Sequence, residues 1–441
     1  MWSRYYFKRP KLYILFPAVI FYARGSKLES IPDNQLKEGL FHALRAMGPR
    51  RRVLAVPPDF TRFHSHAGRI TELAWEHYGA ALTDVLPATG THFEMTDGEK
   101  REMFGRMPRD LFRVHRWRQD LETLGRVPAG FIQGVSEGAL SFDWPAQVDR
   151  LIARGGHDLI LSIGQVVPHE VVGMAGHMKN IFIGAGGAEA INKSHYLGAV
   201  YGMERMMGRA ETPVRAVLDR AAAQFASHLP IVHILTVVGR EPDGNLALKG
   251  LFVGDDREVF TQAAALAREV NVQLLDEPLQ KVVVFLDSGE FKSTWLGNKS
   301  IYRTRMAIAD DGELIVLAPG VGRFGEDPGI DALIRKYGYF TTPRIRELVE
   351  ENRDLQENLS VAAHLIHGSS EERFTITYCP AGLTRDDVEK AGFRYGDLAA
   401  MSARYDPRVL REGWNDCAGG ERVFYVSNPA TGLWAARARF H

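Results

Sequence analysis

The chain has 441 residues, 45% hydrophobic and 24% charged, the profile of a soluble globular protein and not of a disordered or polytopic membrane chain. Its 54 Lys and Arg balance 54 Asp and Glu, so a dedicated nucleic-acid binder, which carries a basic excess, is not expected. Two cysteines, Cys379 and Cys417, build neither a disulfide framework nor a Cys-rich zinc site and fit a reducing, cytoplasmic setting.

Residues 12–22 (LYILFPAVIFY), behind Arg4, Lys8, Arg9 and Lys11, have the outline of a signal peptide. Pro17 interrupts the run, no small-x-small cleavage site follows, and it is too short to span a bilayer. Val19, Ile20, Phe21 and Tyr22 predict a buried strand instead.

Strands and helices then alternate. Helical spacing covers 35–47, 69–79, 144–154, 209–228 and 256–269. Strand patterns cover 52–56, 82–90, 157–164 and 232–239. A second cycle follows, with strands at 281–289, 312–320, 374–380 and 423–429 and helices at 297–309, 330–336 and 343–353. This predicts an α/β protein of two domains. The polar stretch NVQLLDEPLQ puts the division at 275/276, giving domains 1–275 and 276–441, with the tail TGLWAARARF free to return to the first.

Polar clusters follow several strands, where open α/β sheets bind ligands. In PPDFTRFHSHAG (57–68), Asp59, Thr61 and Arg62 suit a phosphate or carboxylate, or serve as a helix cap beside a surface Arg. His64 and His66, without nearby acids, read as solvated loop residues. Gly90-Thr91-His92 puts an imidazole at a strand exit, where it can be a general base, and Thr96 with Glu99 predicts a capping box. Residues 164–195 hold His169, Lys179 and His195, separated by ten and sixteen residues. That spacing is no local zinc motif. In FKSTWLGNKSIYRTR (291–305), Trp295 and Lys299 share a helix face. Gly320-Val-Gly322-Arg-Phe-Gly325 has the form of a dinucleotide fingerprint, but no helix pattern opens at its third glycine.

Taken in order, Asp59-x-x-Arg62, Gly90-Thr91-His92, Pro168-His169, Lys179, His195 and Trp295-x-x-x-Lys299 resemble the nickel-pincer-dependent lactate racemase family over about residues 50–320. The resemblance implies two α/β domains with an interdomain active-site cleft. It implies a racemase or epimerase of a small 2-hydroxy acid, with separate cofactor-synthesis enzymes as partners. The implied cofactor is nickel in a pyridinium-dithiocarboxylate-type mononucleotide covalently attached at Lys179. His195 would ligate nickel, and Asp59, Thr61 and Gly184 would line the cofactor. His92 and His169 would be paired acid/base groups, with Asp59 orienting His169 or its neighbours. Arg62, Trp295, Leu296 and Lys299 would hold the substrate.

Two positions depart from the family. Gly176-His177-Met178-Lys179 lacks the usual Arg before the tether, and Leu296 stands where lactate racemases carry Gln. The apolar wall implied by Leu296 favours a bulkier or less polar substrate. The alternatives are an NAD-dependent oxidoreductase using the 320–325 loop and a cofactor-free carboxylate-binding homologue.

Overall fold

A computed structural model describes residues 19–241, 243–430 and 432–440. The fold is α/β, with two six-stranded sheets. The first sheet contains β1 (Ile20–Gly25), β2 (Val53–Val56), β3 (Leu82–Val85), β4 (Leu159–Gln165), β5 (Ile231–Arg240) and β6 (Leu246–Gly254), in spatial order β1-β6-β5-β4-β2-β3. β3, β2, β4 and β5 run parallel, and β6 and β1 extend the sheet antiparallel. β2 and β4 are buried at every position. That double burial is why their sequences are nearly continuous apolar runs without alternation. The chain leaves β2 for β3 on one side and then crosses to β4 on the other, so strand order reverses between β2 and β4. A crevice opens beyond the carboxyl ends of strands at such a reversal.

The connecting strand β7 (Val272–Leu275) leads to the second sheet. It comprises β8 (Leu279–Phe285), β9 (Ile308–Ala318), β10 (Thr375–Pro380), β11 (Arg394–Tyr395), β12 (Gly413–Asp416) and β13 (Arg422–Val426), ordered β11-β10-β9-β8-β13-β12. All pairings are parallel except β12 on β13. The tail forms β14 (Leu433–Ala436), which pairs in parallel with β7. Phe440 then packs with Met203, Met207, Tyr302 and Met306, so the tail sits at the junction between the two sheet units.

Two helices join the units across the crevice. Helix α1 (Ala188–Tyr201) lends Tyr196 and Ala199 to the core of the second unit, against α2 (Leu359–His367). The Ser360 backbone N–H donates to Asn192 Oδ1 at 3.1 Å.

Several expectations need correcting. β1 is a strand but not a buried one. It pairs with β6 alone, and most of its residues are exposed because its other edge has no neighbour among the described residues. The rest of the apolar stretch, residues 12–18, lies outside the described residues. Residues 144–154 are not one helix. Trp144–Asp149 is a strand paired with Leu121–Val127, and Asp149 then caps the short helix Arg150–Arg154 by accepting the Leu151 N–H at 2.9 Å. Here tertiary burial of Trp144, whose indole N–H reaches Ser194 Oγ at 2.9 Å, overrides the helical spacing. Residues 297–309 break into the one-turn helices Thr294–Gly297 and Lys299–Tyr302, followed by β9. The capping box at Thr96 and Glu99 is present. Among the described residues no helix is long and apolar enough to cross a membrane.

The glycines at 320–325 do not make a dinucleotide turn. The following helix opens at Pro328, capped by Asp327. A Cβ at Gly320 would lie 2.6 Å from the Phe291 carbonyl, and one at Gly325 would lie 2.3 Å from the Asp331 nitrogen. Gly320 and Gly325 are required by close packing, and none of the three glycines lines the crevice described next.

Candidate active site

A cavity of about 240 Å³ lies between the two units. Every residue read from the sequence as a site residue lines it: Asp59, Thr61, Arg62, His92, His169, Lys179, Gly184, His195, Trp295, Leu296 and Lys299. Most of these groups arrive on the segment that follows a strand, and His195 arrives on α1. β2 delivers Asp59 and Arg62, β3 delivers His92, and β4 delivers His169 and Lys179. β8 delivers Trp295 and Lys299 from the opposite side.

His92 and Asp59 form a dyad. His92 Nδ1 lies 2.6 Å from Asp59 Oδ2, while Asp59 Oδ1 accepts the Thr61 backbone N–H and hydroxyl. Burial raises the Asp59 pKa, but the bonds from His92 and Thr61 and the charge of Arg62 outweigh it and hold the carboxyl below its ordinary range. An ionised Asp59 fixes the proton on Nδ1 of His92 and leaves Nε2 with a free lone pair. The expectation that Asp59 orients His169 is therefore corrected. Asp59 is on the 3-10 turn that faces the β3 loop, and His92 is what comes within reach.

His169 is held differently. Its Nδ1 accepts the Val171 backbone N–H at 3.1 Å, so in the neutral ring the proton sits on Nε2. Burial, with Lys179, Arg62 and His195 nearby, pushes its pKa well below the usual value, and Glu170 opposes this. The two candidate acid/base histidines thus present unlike faces: an acceptor nitrogen on His92 and an N–H on His169. His195 donates from Nδ1 to the Ile191 carbonyl, one turn back on α1, at 2.7 Å. Its Nε2 lone pair is left free, the form a metal ligand requires.

Arg62, Lys179 and Lys299 line the cavity with no ion pair or side-chain hydrogen bond among the described residues. Burial first, and Arg62 second, pull Lys179 and Lys299 each down to about 8. Three neighbouring cations, offset only through space by Asp59, Glu170 and Glu290, are costly unless an anion joins them. Carboxylate affinity of the apo-protein is therefore expected to fall as pH rises through about 8, as the ammonium groups discharge. A titration of lactate against Trp295 fluorescence at pH 6.5 and 9.5 checks this, and equal affinity at both would count against it.

The Lys179 turn is built from behind. Gly176 has φ +87°, a left-handed conformation that favours glycine. His177, also left-handed at φ 57°, turns away from the cavity and stacks on His233 with ring centroids 4.0 Å apart. It is a buried packing residue and adds no imidazole to the site. Arg215, 0% exposed, donates to the carbonyls of Met174 at 2.6 Å and Gly176 at 3.3 Å and lies over the Phe260 ring. Arg215→Met strands both carbonyls and is expected to destabilise the chain by about 2–4 kcal/mol, read as a lower urea midpoint.

Gly184 packs against the β3 loop. Its carbonyl accepts the Gly90 N–H at 2.7 Å, and a Cβ would lie 2.9 Å from Ala88 Cβ. His64 is not solvated: it is half-buried, its Nε2 is enclosed without a partner, and burial lowers its pKa to about 4. His66 starts the helix Ala67–Tyr78 and, like His64, lies outside the cavity lining.

Other lining residues escaped the sequence reading. Gln165, at the end of β4, is 5% exposed, and both of its amide atoms lack partners. Glu170, Tyr302, Ser360, His364 and His367 also face the cavity. Of these, Glu170 was legible as the residue after Pro168-His169. His364 and His367 lie on α2, whose sequence LSVAAHLIH reads as ordinary core.

Residues 41–207 match the family described as lactate racemase N-terminal domain. Two solved structures share the fold. A protein from Thermotoga maritima aligns at TM-score 0.77 and 23% identity, over 92% of this chain and 98% of its own. The lactate racemase apoprotein from Thermoanaerobacterium thermosaccharolyticum aligns at TM-score 0.69 and 14% identity, over 94% of each chain. At these identities the likeness is one of fold. No curated protein matches the chain. The matched stretch, residues 41–207, contains the Asp59–His92 dyad, His169, Lys179 and His195, and the second sheet unit adds Trp295, Leu296 and Lys299 to the cavity.

The residues present fit a covalently held nickel nucleotide. Lys179 offers a buried amine with a lowered pKa, His195 a free imidazole nitrogen, and Gln165 an orphaned amide. Among the described residues no three His, Cys, Asp or Glu side chains converge as a metal site.

Proposed function

We propose that this chain racemises or epimerises a 2-hydroxy acid with a nickel pincer nucleotide tethered to Lys179, in a cleft between domains 1–275 and 276–441. The observation that carries the reading is the convergence of three unpaired cations, an Asp–His dyad and a second histidine on one cavity. Inverting a 2-hydroxy carbon means breaking an unactivated Cα–H bond. When bound, the nickel–sulfur nucleotide supplies hydride acceptance and return, which no side chain can.

The protein's own groups do the rest. Arg62 and Lys299 bind the substrate carboxylate and fix Cα. His92 Nε2 takes the hydroxyl proton as hydride leaves, giving a planar 2-keto acid, and Asp59 stabilises the imidazolium. His169 offers its Nε2–H to the oxygen from the other side. When the ring is protonated, Glu170, whose Oε2 lies 3.7 Å from Nδ1, is the available counter-charge. The proton that His92 has taken would be given back to the oxygen when the keto carbon is reduced on its opposite face, which inverts the centre.

The test is intact mass and nickel analysis on protein produced beside the cofactor-synthesis enzymes. A covalent adduct mapping to Lys179 with about one nickel per chain supports the reading. An unmodified chain without nickel leaves the cofactor-free carboxylate binder. No observation favours the dinucleotide alternative, because the 320–325 loop lies away from the cavity.

A further inference from the structure

Lys179 has ordinary helical backbone angles, φ −59° and ψ −38°. The five residues after it, Asn180–Gly184, form a wide π turn, in which the Ala185 N–H donates to the Asn180 carbonyl, five residues back, at 2.9 Å. Single π turns are rare and concentrate at functional sites. All five residues are buried, and all but Asn180 are apolar or glycine. Asn180 is 8% exposed. Its Nδ2 donates to the Val56 carbonyl at the end of β2 at 2.8 Å and lies 3.3 Å from both Ser162 Oγ and the Ile163 carbonyl on β4. One amide thus ties the residue after Lys179 to both strands that flank the reversal of strand order. A buried amide is costly unless it is paired, and this one shares two hydrogens among three acceptors. A leucine of similar size would fill the space and hold neither strand.

The far end of the turn is fastened through its backbone. The Gly184 carbonyl accepts the Gly90 N–H, which joins the turn to the loop of His92. The Ala185 carbonyl accepts the Asp149 N–H at 2.8 Å, and His115 Nε2 lies 2.9 Å from the Gly186 carbonyl. The near end, beside Lys179, is held by the Asn180 side chain. Resting on the reading of Lys179 as the attachment point, we propose that Asn180 is the positioning residue for Lys179. By clamping the π turn to β2 and β4, it sets where the Lys179 amine enters the cavity and where a group joined to that amine stands relative to His92. Arg62 and Lys299 arrive on other segments, so carboxylate binding does not depend on it. A reacting group displaced by about 1 Å loses on the order of 10²-fold in rate, and that is the scale of error the clamp prevents.

The native chain, Asn180→Leu, Asn180→Ser and Val316→Ala are produced beside the cofactor-synthesis enzymes, and the share of chains carrying an adduct at Lys179 is read by intact mass. Val316, 0% exposed on β9, is a core truncation remote from the turn that lowers the urea midpoint. Asn180→Leu is expected to load roughly 10-fold fewer chains or worse, while its apo form binds lactate within about twofold of native by Trp295 fluorescence. Asn180→Ser keeps a hydroxyl donor and should load several-fold better than Asn180→Leu. Val316→Ala should load like the native chain. Native loading in Asn180→Leu overturns the proposal. So does a loss of loading accompanied by loss of lactate affinity, an equal loss in Val316→Ala, or a serine variant no better than the leucine one. An unmodified native chain sinks the functional reading itself. A loaded native chain with an equally loaded Asn180→Leu leaves that reading standing and removes only the role of Asn180.

Discussion

The Lys179→Ala protein is expected to carry no covalent adduct and no stoichiometric nickel when produced beside the cofactor-synthesis enzymes, and its racemisation should fall below detection. Attachment needs a neutral amine with a free electron pair. With its pKa at about 8, Lys179 is neutral in roughly a quarter of molecules near pH 7.5, against about one in a thousand for an ordinary lysine. Burial is the first cause of that shift and the Arg62 charge the second. Lys179→Arg keeps the charge and the bulk but cannot deprotonate, so it should fail equally, which separates loss of the nucleophile from loss of a cation. An adduct that persists in either variant, or maps to another lysine, would sink the assignment.

Asp59→Asn is expected to lower kcat on the order of 10²–10⁴-fold with little change in KM. The neutral amide no longer dictates which nitrogen of His92 carries the proton, and it withdraws the negative charge that stabilises the imidazolium formed when the substrate hydroxyl ionises. The Thr61 contacts can be kept by Asn, so the turn should survive. The lowered pKa of Asp59, set by His92 and Thr61 against the burial penalty, keeps the dyad intact down to acidic pH in the native enzyme. A variant with native kcat would show that His92 is not the working base.

The central strands were legible because burial on both faces leaves an unmistakable apolar run, as in RVLAV and HDLILSIG. Edge position was not legible: IFYARG forms a strand whether or not a neighbour covers it, and sequence carries no count of neighbours. Trp144–Asp149 was misread because helical spacing and strand pairing compete over six residues, and the partner that decides, Leu121–Val127, is remote in sequence.

For the site, the resemblance to a known family picked out Asp59, Arg62, His92, His169, Lys179 and His195, and they line one cavity because parallel strands deliver the segments after them to the same edge. The sequence by itself therefore determined the α/β class and the inventory of chemistry. Only the tertiary structure decided which group serves which. Asp59 pairs with His92 across 33 residues, and His177 is drawn off by His233 and Phe260. His364 and His367 reach the cavity because α2 packs on α1. Hydrogen-bond partners and unpaired charges are properties of position in space, set by strand order and helix packing, and a linear spacing does not contain them.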